Sequence, residues 1–218
     1  MVKPNGSTRR LRAGASGRAD QETRDRILDA ADRIFIRKGT ASGRTQEIAD
    51  EAGVNKALVH YYFGTKAALA DAIFARALGT LVPRIFGILA DPSRGIEQKV
   101  PAIVKEQIDF HTAHPYLAGY MIAELHAHPE RVARMMTAHG RIPLDVLRRQ
   151  LQEGARAGKL RRIAPEQFVA NMMGLLLFPF AIRSALCELL GFDADRWQGF
   201  LEERRRMLPD FVMAGLRP

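Results

Sequence analysis

The chain has 218 residues, of which 47% are apolar and 26% charged, proportions typical of a folded globular protein. This composition excludes a collagen-like chain, a disordered tail protein and a disulfide scaffold, since the single cysteine, Cys187, has no partner in the chain. The 33 basic and 24 acidic residues give a net charge of +9, which favours a polyanionic partner, and the lone cysteine favours a reducing, cytoplasmic compartment.

Residues 1–19 form a basic opening segment that contains arginines and a lysine but no acidic residue. The segment has no apolar periodicity, so it cannot bury enough surface to offset its ordering entropy, and we predict that it is disordered. It lacks the apolar core of a secretory signal. The alternatives are a solvated tail, an arm that contacts phosphates or a DNA minor groove, and an Arg-rich organellar transit peptide.

Helical periodicity dominates the rest of the chain, and no segment alternates with period two, so we predict an all-α protein of about nine helices. The first helix is predicted at about 21–38, with Gly39 just past its end. Short helices follow at about 45–51 and 56–62, the first closed by Gly53 and the second capped by Asn55. Thr65 is the predicted cap of a fourth helix.

Proline and glycine breaks divide the remainder into apolar-periodic segments at about 94–113, 116–127, 130–157, 165–190 and 195–215. We expect Pro83, Pro101, Pro143 and Pro179 to kink or shorten the helices that contain them. The longest uncharged stretch, 167–182, is too short for a membrane span, so it is predicted to be a buried helix and no membrane partner is expected. The predicted domains are a basic arm over 1–19, a small helical domain over 20–78 and a larger one over 79–218.

The segment 45–63 has the pattern of a helix-turn-helix motif, with its tight turn at Gly53. Ile48, Ala52, Val54, Val59 and Phe63 are spaced to pack the two helices together. The rest of the second helix of the motif offers donors, aromatic hydroxyls and methyl groups, which suit phosphates and base edges. These outward residues are Lys56, Ala57, Leu58, His60, Tyr61 and Tyr62.

Residues from about 22 to 78 resemble the DNA-binding domain of the TetR family of bacterial transcriptional regulators. The resemblance lies in Ile27-Leu-Asp-Ala-Ala with Phe35 and Gly39, in Thr45 with Ile48-Ala and Ala52-Gly-Val, and in Tyr61-Tyr-Phe with Lys66 and Leu69. It implies that Thr45 and Gln46 contact phosphates and bases, that Lys66 binds a phosphate, and that the outward residues of the recognition helix contact DNA. His60 stands where a tyrosine is usual in the family.

A single recognition helix reads only a few base pairs, so we expect a homodimer on a palindromic operator. The resemblance implies that the last two helices pair with their dyad mates in a four-helix bundle. The alternative is that the helix near 168–182 forms only core within one chain. The candidate interface residues are Phe168, Met172, Leu175, Leu176, Phe180, Phe200, Leu208 and Phe211.

The resemblance also implies that a small-molecule effector binds in the larger domain, with the alternative that these side chains are ordinary core. The candidate pocket residues are Phe110, His111, His114, Tyr120, Met121, Met172 and Phe178. Five of the six histidines lie between 111 and 139 at spacings that permit metal ligation, but no cysteine joins them. We expect satisfied or surface histidines there, no metal and no other cofactor.

The sequence has no phosphate-binding loop, nucleophile elbow or zinc-protease motif, so no catalytic residue is predicted and the protein is not expected to be an enzyme. The prediction is a transcriptional regulator that binds double-stranded DNA as a homodimer and is released, as a repressor, by an unidentified small molecule. The alternative is an all-helical small-molecule or lipid binder that does not read DNA sequence.

Overall fold

The described part of the chain consists of helices joined by short turns. A computed structural model describes the backbone of residues 7–218 and the side chains of residues 18–218. The helices are α1 (Ser7–Ser42), α2 (Thr45–Ala52), α3 (Lys56–Phe63), α4 (Lys66–Ala90), α5 (Ile96–Ala113), α6 (Leu117–Ala127), α7 (Pro129–Thr137), α8 (Leu144–Arg156), α9 (Pro165–Ala181), α10 (Arg183–Leu190) and α11 (Ala194–Leu216). The predicted all-α class is confirmed, with eleven helices over these residues instead of nine.

Two compact units divide the chain within α4: the first ends at Phe74 and the second is Ala75–Pro218. In the first unit, α2 packs on α1 and α3 packs on α2. The predicted inward residues of these helices, apart from the half-buried Val54, are buried, and a fully buried large apolar side chain contributes about 1.5–3 kcal/mol. The core of the first unit is formed by Ile27, Ala31, Ile34, Phe35, Ile48, Ala49, Val59, Phe63, Leu69 and Ile73.

Two glycines allow the tight turns of this unit. Gly53 adopts a left-handed conformation (φ +64°, ψ +37°) at the end of α2, and the amide of Val54 donates to the carbonyl of Ala49 at 3.0 Å. At Gly43 the reason is space, because a Cβ atom there would lie 2.9 Å from the ring of Phe35. The turn between α1 and α2 can therefore pack on the core only with glycine at this position.

The first helix differs from its prediction at its start. It begins at Ser7, so residues 7–19, which we expected to be disordered, are helical; residues 1–6 of the predicted arm lie outside the described residues. Alanine, leucine and arginine are good helix formers, and a helix nucleated by the packed residues farther along extends at little cost. Gly39 (φ +74°) interrupts the helical conformation where the sequence predicted its end.

In the second unit, α11 packs along α5, α6 packs on α9 and α7, and α8 and α10 lie against α9. A shared apolar core joins α5, α8, α9 and α11, with Val104, Leu147, Phe180 and Trp197 among its members. Lys99 is buried in this unit, and its Nζ atom donates to the carbonyl of Leu89 at 2.6 Å and to Oε1 of Gln150 at 2.7 Å. Burial lowers the pKa of Lys99, and these two neutral acceptors compensate for its lost hydration.

Two predicted long segments are each divided into two helices. The segment 130–157 is split between α7 and α8 by a turn that contains Gly140 (φ +112°) and Pro143. The segment 165–190 breaks at Ile182, three residues after Pro179. Pro83 and Pro101, by contrast, lie inside α4 and α5, which continue through them. The prolines at these positions therefore did not all end their helices.

Among the described residues, α4 is the one helix that is long and apolar enough by itself to cross a membrane. The pair α9 and α10 would pass together as a span broken by a bend of 72°. Core helices of globular proteins pass the same test, and Leu69, Ile73 and Phe74 of α4 are buried. This finding therefore gives little support to a membrane protein.

Candidate DNA-binding surface

The turn from α2 into α3 forms a capped helix-turn-helix. The Oδ1 atom of Asn55 accepts a hydrogen bond of 2.8 Å from the amide of Leu58, as an N-cap residue does. In the same way, Oγ1 of Thr65 accepts from the amide of Ala68 at 3.0 Å and caps α4. Both predicted caps are confirmed, and they fix where α3 and α4 begin.

The two sides of α3 differ sharply in exposure. Val59 and Phe63 are buried, whereas Lys56, Ala57, His60 and Tyr61 are exposed and Leu58 is half-buried. Tyr61 has 76% of its surface exposed. The helix thus has one side anchored in the unit and another free for contact, with basic, aromatic and methyl groups in the combination that the sequence predicted.

Tyr62, predicted to contact DNA, is half-buried and engaged within the protein. Its hydroxyl group donates a hydrogen bond of 2.6 Å to Oδ1 of Asp20 in α1, and this bond raises the pKa of Tyr62. The ring of Tyr61 meets that of Tyr62 edge-on, with 5.1 Å between centroids. The partner Asp20 was missed by sequence reasoning, since nothing in its local pattern indicates a contact 42 residues away.

Lys66 is also engaged. Its Nζ atom donates to the carbonyl oxygens of Ala41 at 2.8 Å and Gly43 at 3.2 Å, which ties the start of α4 to the turn after α1. An ammonium group has three protons, so one donor remains for another partner. On α2, Thr45 is half-buried and Gln46 is exposed, with its amide donating to Asp50 at 2.8 Å.

Several basic residues of α1 are neutralised by α2. Arg33 and Arg37 both bind the carboxylate of Glu51 at 2.8 Å, and Lys38 binds Glu47 at 2.8 Å. These hydrogen bonds lower the pKa of both glutamates. Such solvent-exposed pairs contribute little to stability, but they leave the positive charge of this unit on other residues, including the exposed Lys56.

In the second unit, the structure brings part of the predicted pocket together. The His111 ring lies 5.2 Å from Phe110 and 5.1 Å from Phe180, and the Phe110 ring is 5.1 Å from His114. His111 is 2% exposed, and neither of its ring nitrogens has a hydrogen-bond partner. Burial lowers its pKa to about 4, so the ring is neutral at neutral pH.

The other predicted pocket residues divide into three groups. Tyr120 and Met121 are half-buried on α6, and Met172 is buried in the core. Phe178, by contrast, is 58% exposed on α9 and does not lie in the core with Met172. For the predicted histidine cluster, no group of three or more His, Cys, Asp or Glu side chains that could hold a metal ion occurs within residues 18–218.

The predicted dimer-interface residues differ in their burial within the chain. Five of them are already buried within the chain's own core: Phe168, Met172, Leu176, Phe180 and Leu208. Leu175 and Phe200 are half-buried, and Phe211 is 57% exposed. A helix that is apolar nearly all round does not reveal which side meets its own chain.

The exposed apolar surface of α9 and α11 lies beside these buried residues. Met173 and Phe178 are exposed on α9, and Met207 and Phe211 on α11. A groove of about 430 Å³ runs between the two helices, with the glycines Gly174 and Gly215 and the Phe211 side chain in its lining. The small residues would allow another helix to approach closely, a signal that was present in the sequence.

Comparison with known proteins identifies the first unit. Residues 27–73 match the family described as "Bacterial regulatory proteins, tetR family". The HTH-type transcriptional repressor NicS of Pseudomonas putida is 26% identical over 221 aligned positions, which cover 94% of this chain and 98% of that protein. The HTH-type transcriptional repressor SCO4008 of Streptomyces coelicolor is 30% identical over 109 positions, which cover 50% of this chain and 53% of that protein.

Solved structures share the fold at low sequence identity. The hemolysin II transcriptional regulator HlyIIR is 19% identical, with a TM-score of 0.56 over 91% of this chain and 99% of that one. FadR of Bacillus subtilis, in complex with stearoyl-CoA, is 16% identical, with a TM-score of 0.61 over 88% of this chain and 98% of that one. These likenesses show a shared fold, whereas the family match and the related repressors identify residues 27–73 as a DNA-binding domain of the tetR type and the protein as a DNA-binding transcriptional regulator.

Proposed function

We propose that the protein is a cytoplasmic homodimer that represses transcription from a palindromic operator and leaves it when a small molecule binds the second unit. The observation that carries the DNA-binding part is the division of α3, with Val59 and Phe63 anchored and Lys56, His60 and Tyr61 exposed. The name of the relative NicS, a transcriptional repressor, favours repression over activation.

In this proposal α3 enters the major groove by its first turn. Lys56 supplies charge to phosphates, and the half-buried Leu58, which has no polar group, is suited to a thymine methyl. Thr45 and Gln46 contact the DNA from the start of α2, and the third N–H group of the Lys66 ammonium donates a hydrogen bond to a phosphate. The hydroxyl group of Tyr62 already donates its hydrogen bond to Asp20, so Tyr62 acts by positioning α3.

A dimer places two such helices about 34–36 Å apart, one turn of DNA. We assign the self-association surface to the exposed apolar residues of α9 and α11 and to the glycine-lined groove between them. An exposed apolar patch of this kind marks an interaction site more often than bare surface. The candidate residues of this surface are Gly174 and Phe211 in the groove and the exposed Phe178 and Met207.

For the effector we propose a site at His111, between α5 and α9. Two unpaired ring nitrogens in a buried aromatic setting are costly, at about 1–3 kcal/mol for each group, and a ligand that bonds to them removes that cost. Phe110, His114, Tyr120 and Met121 are the further candidates. The ligand acts as an inducer only insofar as it prefers the dimer conformation that does not bind DNA.

The test is selection of bound fragments from genomic DNA by the purified protein, followed by sequencing and competition with scrambled DNA. We expect a palindromic motif with half-sites one helical turn apart. Lys56→Glu should abolish retention, whereas Lys159→Glu, the same charge change on an exposed lysine of the second unit, should retain the motif. Equal retention of all fragments would contradict the proposal and favour a helical small-molecule or lipid binder.

A further inference from the structure

His60 is an exposed residue of α3 whose ring is held by a backbone carbonyl. Its Nδ1 atom lies 2.6 Å from the carbonyl oxygen of Gly64. A carbonyl oxygen can only accept, so Nδ1 carries the proton in this contact. In a neutral imidazole the other nitrogen, Nε2, then has a lone pair and no proton. His60 therefore presents a hydrogen-bond acceptor at the surface of α3.

The neighbouring exposed side chains of α3 have different chemistry. Lys56, one turn earlier on the same face, offers only donors, and Ala57 offers only a methyl group. The Tyr61 hydroxyl both donates and accepts, so it does not discriminate between the two kinds of partner. On the exposed face of α3, His60 is the side chain whose fixed ring requires a donor from its partner.

Donors are unevenly distributed among the base edges of the major groove. Adenine and cytosine present an exocyclic amine there, whereas guanine presents the acceptors N7 and O6 and thymine presents the acceptor O4. We infer that His60 is a specificity-determining residue whose Nε2 accepts a hydrogen bond from the exocyclic amine of one adenine or cytosine in each operator half-site. The inference rests on the proposed DNA binding by α3.

The experiment removes the amine from the DNA and the nitrogens from the protein separately. An operator is first selected from a random duplex library with the full chain at pH 8, well above the range in which histidine ordinarily takes up a proton. Each adenine is then replaced by purine, and each cytosine by pyrimidin-2-one, which lack only the amine. Affinities are measured for the wild type, for His60→Phe and for the control His126→Phe, which changes an exposed histidine of the second unit.

We expect one amine per half-site whose removal weakens wild-type and His126→Phe binding about 5- to 30-fold. His60→Phe should lose a similar factor on the intact operator and lose nothing more when that amine is removed. A nitrogen-detected NMR spectrum of the free protein at pH 8 should show the His60 proton on Nδ1. If His60→Phe does not fold, the wild-type affinities for the intact and amine-deleted operators and this spectrum still test the inference.

Three results would overturn the inference. One is a proton on Nε2 in the free protein. Another is that no removal of an amine weakens the binding of the wild type more than it weakens the binding of His60→Phe. The third is that His60→Phe weakens binding to all sequences alike and reduces the salt dependence of log K by about 0.9, which indicates a phosphate contact. Failure of the protein to select any sequence would instead overturn the proposed function itself.

Discussion

The guanidinium group of Arg204 in α11 donates a hydrogen bond to the backbone carbonyl oxygen of Leu175 in α9. Leu175 lies four residues before Pro179, which has no N–H group, so this carbonyl cannot be paired within its own helix. Arg204 is half-buried and supplies the missing donor from another helix. Arg204 thus replaces, at the Leu175 carbonyl oxygen, the backbone donor that Pro179 lacks.

This relationship predicts non-additive effects on stability. Arg204→Leu should lower the free energy of unfolding by about 1–2 kcal/mol, because it leaves the Leu175 carbonyl unpaired. In a Pro179→Ala background the restored N–H group pairs that carbonyl, so Arg204→Leu should cost less. Urea denaturation of the four proteins measures the difference. Stacking of Arg204 on Phe200 is lost in both backgrounds, so equal costs would assign the whole effect to that contact.

His111 predicts how stability depends on pH. Its pKa is about 4 in the folded protein and about 6.5 in an unfolded chain, so between these values only the unfolded state binds the proton. Its contribution is therefore fully present above pH 6.5 and is lost as the pH falls towards 4, by about 3 kcal/mol in total. Urea denaturation at a series of pH values measures this loss.

His111→Phe is the variant that isolates this effect. It should raise stability at neutral pH, because two unpaired ring nitrogens disappear, and it should remove the loss between pH 6.5 and 4. His126→Phe, at an exposed site, should keep the wild-type pH dependence. Destabilisation of His111→Phe at pH 7 would mean that the nitrogens are satisfied in solution, which would also remove the support for an effector site at this residue.

The exposed and buried apolar residues of α9 and α11 predict different outcomes for the same substitution. Phe211→Asp, on the exposed face, should give a folded monomer with weak operator binding. Leu176→Asp should unfold the second unit, since an unpaired buried carboxylate costs several kcal/mol. Light scattering and circular dichroism separate the two results. A folded Phe211→Asp dimer would place the self-association surface elsewhere.

The first unit was largely predictable from sequence because its signals are local. Asn55 and Thr65 cap helices through amides three residues away, and Gly53 closes a turn, so short-range chemistry fixed the helix boundaries. The inward stripe of α3 also followed from spacing. The resemblance to a known family relied in part on such residues, among them Gly53 and Phe63.

The features that could not be predicted concern contacts between residues distant in the sequence. The bonds of Tyr62 to Asp20 and of Lys66 to Ala41 join positions 42 and 25 residues apart, and neither pair has a local pattern. In α9, Leu176 and Phe178 are both apolar, and only the packing of α5, α6, α8 and α10 decides that the first is core and the second is surface.

Tyr61 and Tyr62 are adjacent and chemically identical, so they form a matched pair. Tyr62→Phe should lower the melting temperature, and Asp20→Asn should have little further effect in that background, because the bond is already absent. Tyr61→Phe, at an exposed hydroxyl, should leave the melting temperature unchanged while weakening operator binding. If Tyr62→Phe is as stable as the wild type, the hydrogen bond to Asp20 does not hold α3 in solution.

The adjacent residues Leu58 and Val59 lie on different sides of α3 and should respond differently to truncation. Val59 is 3% exposed, so Val59→Ala should lower the free energy of unfolding by about 1–3 kcal/mol and leave the sequence preference of the remaining folded protein unchanged. Leu58 is half-buried in the first turn of α3, and its only base-specific contact is apolar, most simply with a thymine methyl.

Leu58→Ala should therefore reduce discrimination at one A·T position in each half-site, by about 1–3 kcal/mol at most, with non-specific binding unchanged. Replacing that thymine by uracil, which lacks the methyl group, should weaken the wild type and leave Leu58→Ala unaffected. Melting curves of both variants, recorded beside the binding data, assign each residue to its side of the helix. A Leu58→Ala variant that is destabilised by about 2–5 kcal/mol and keeps its sequence preference would show that Leu58 belongs to the core.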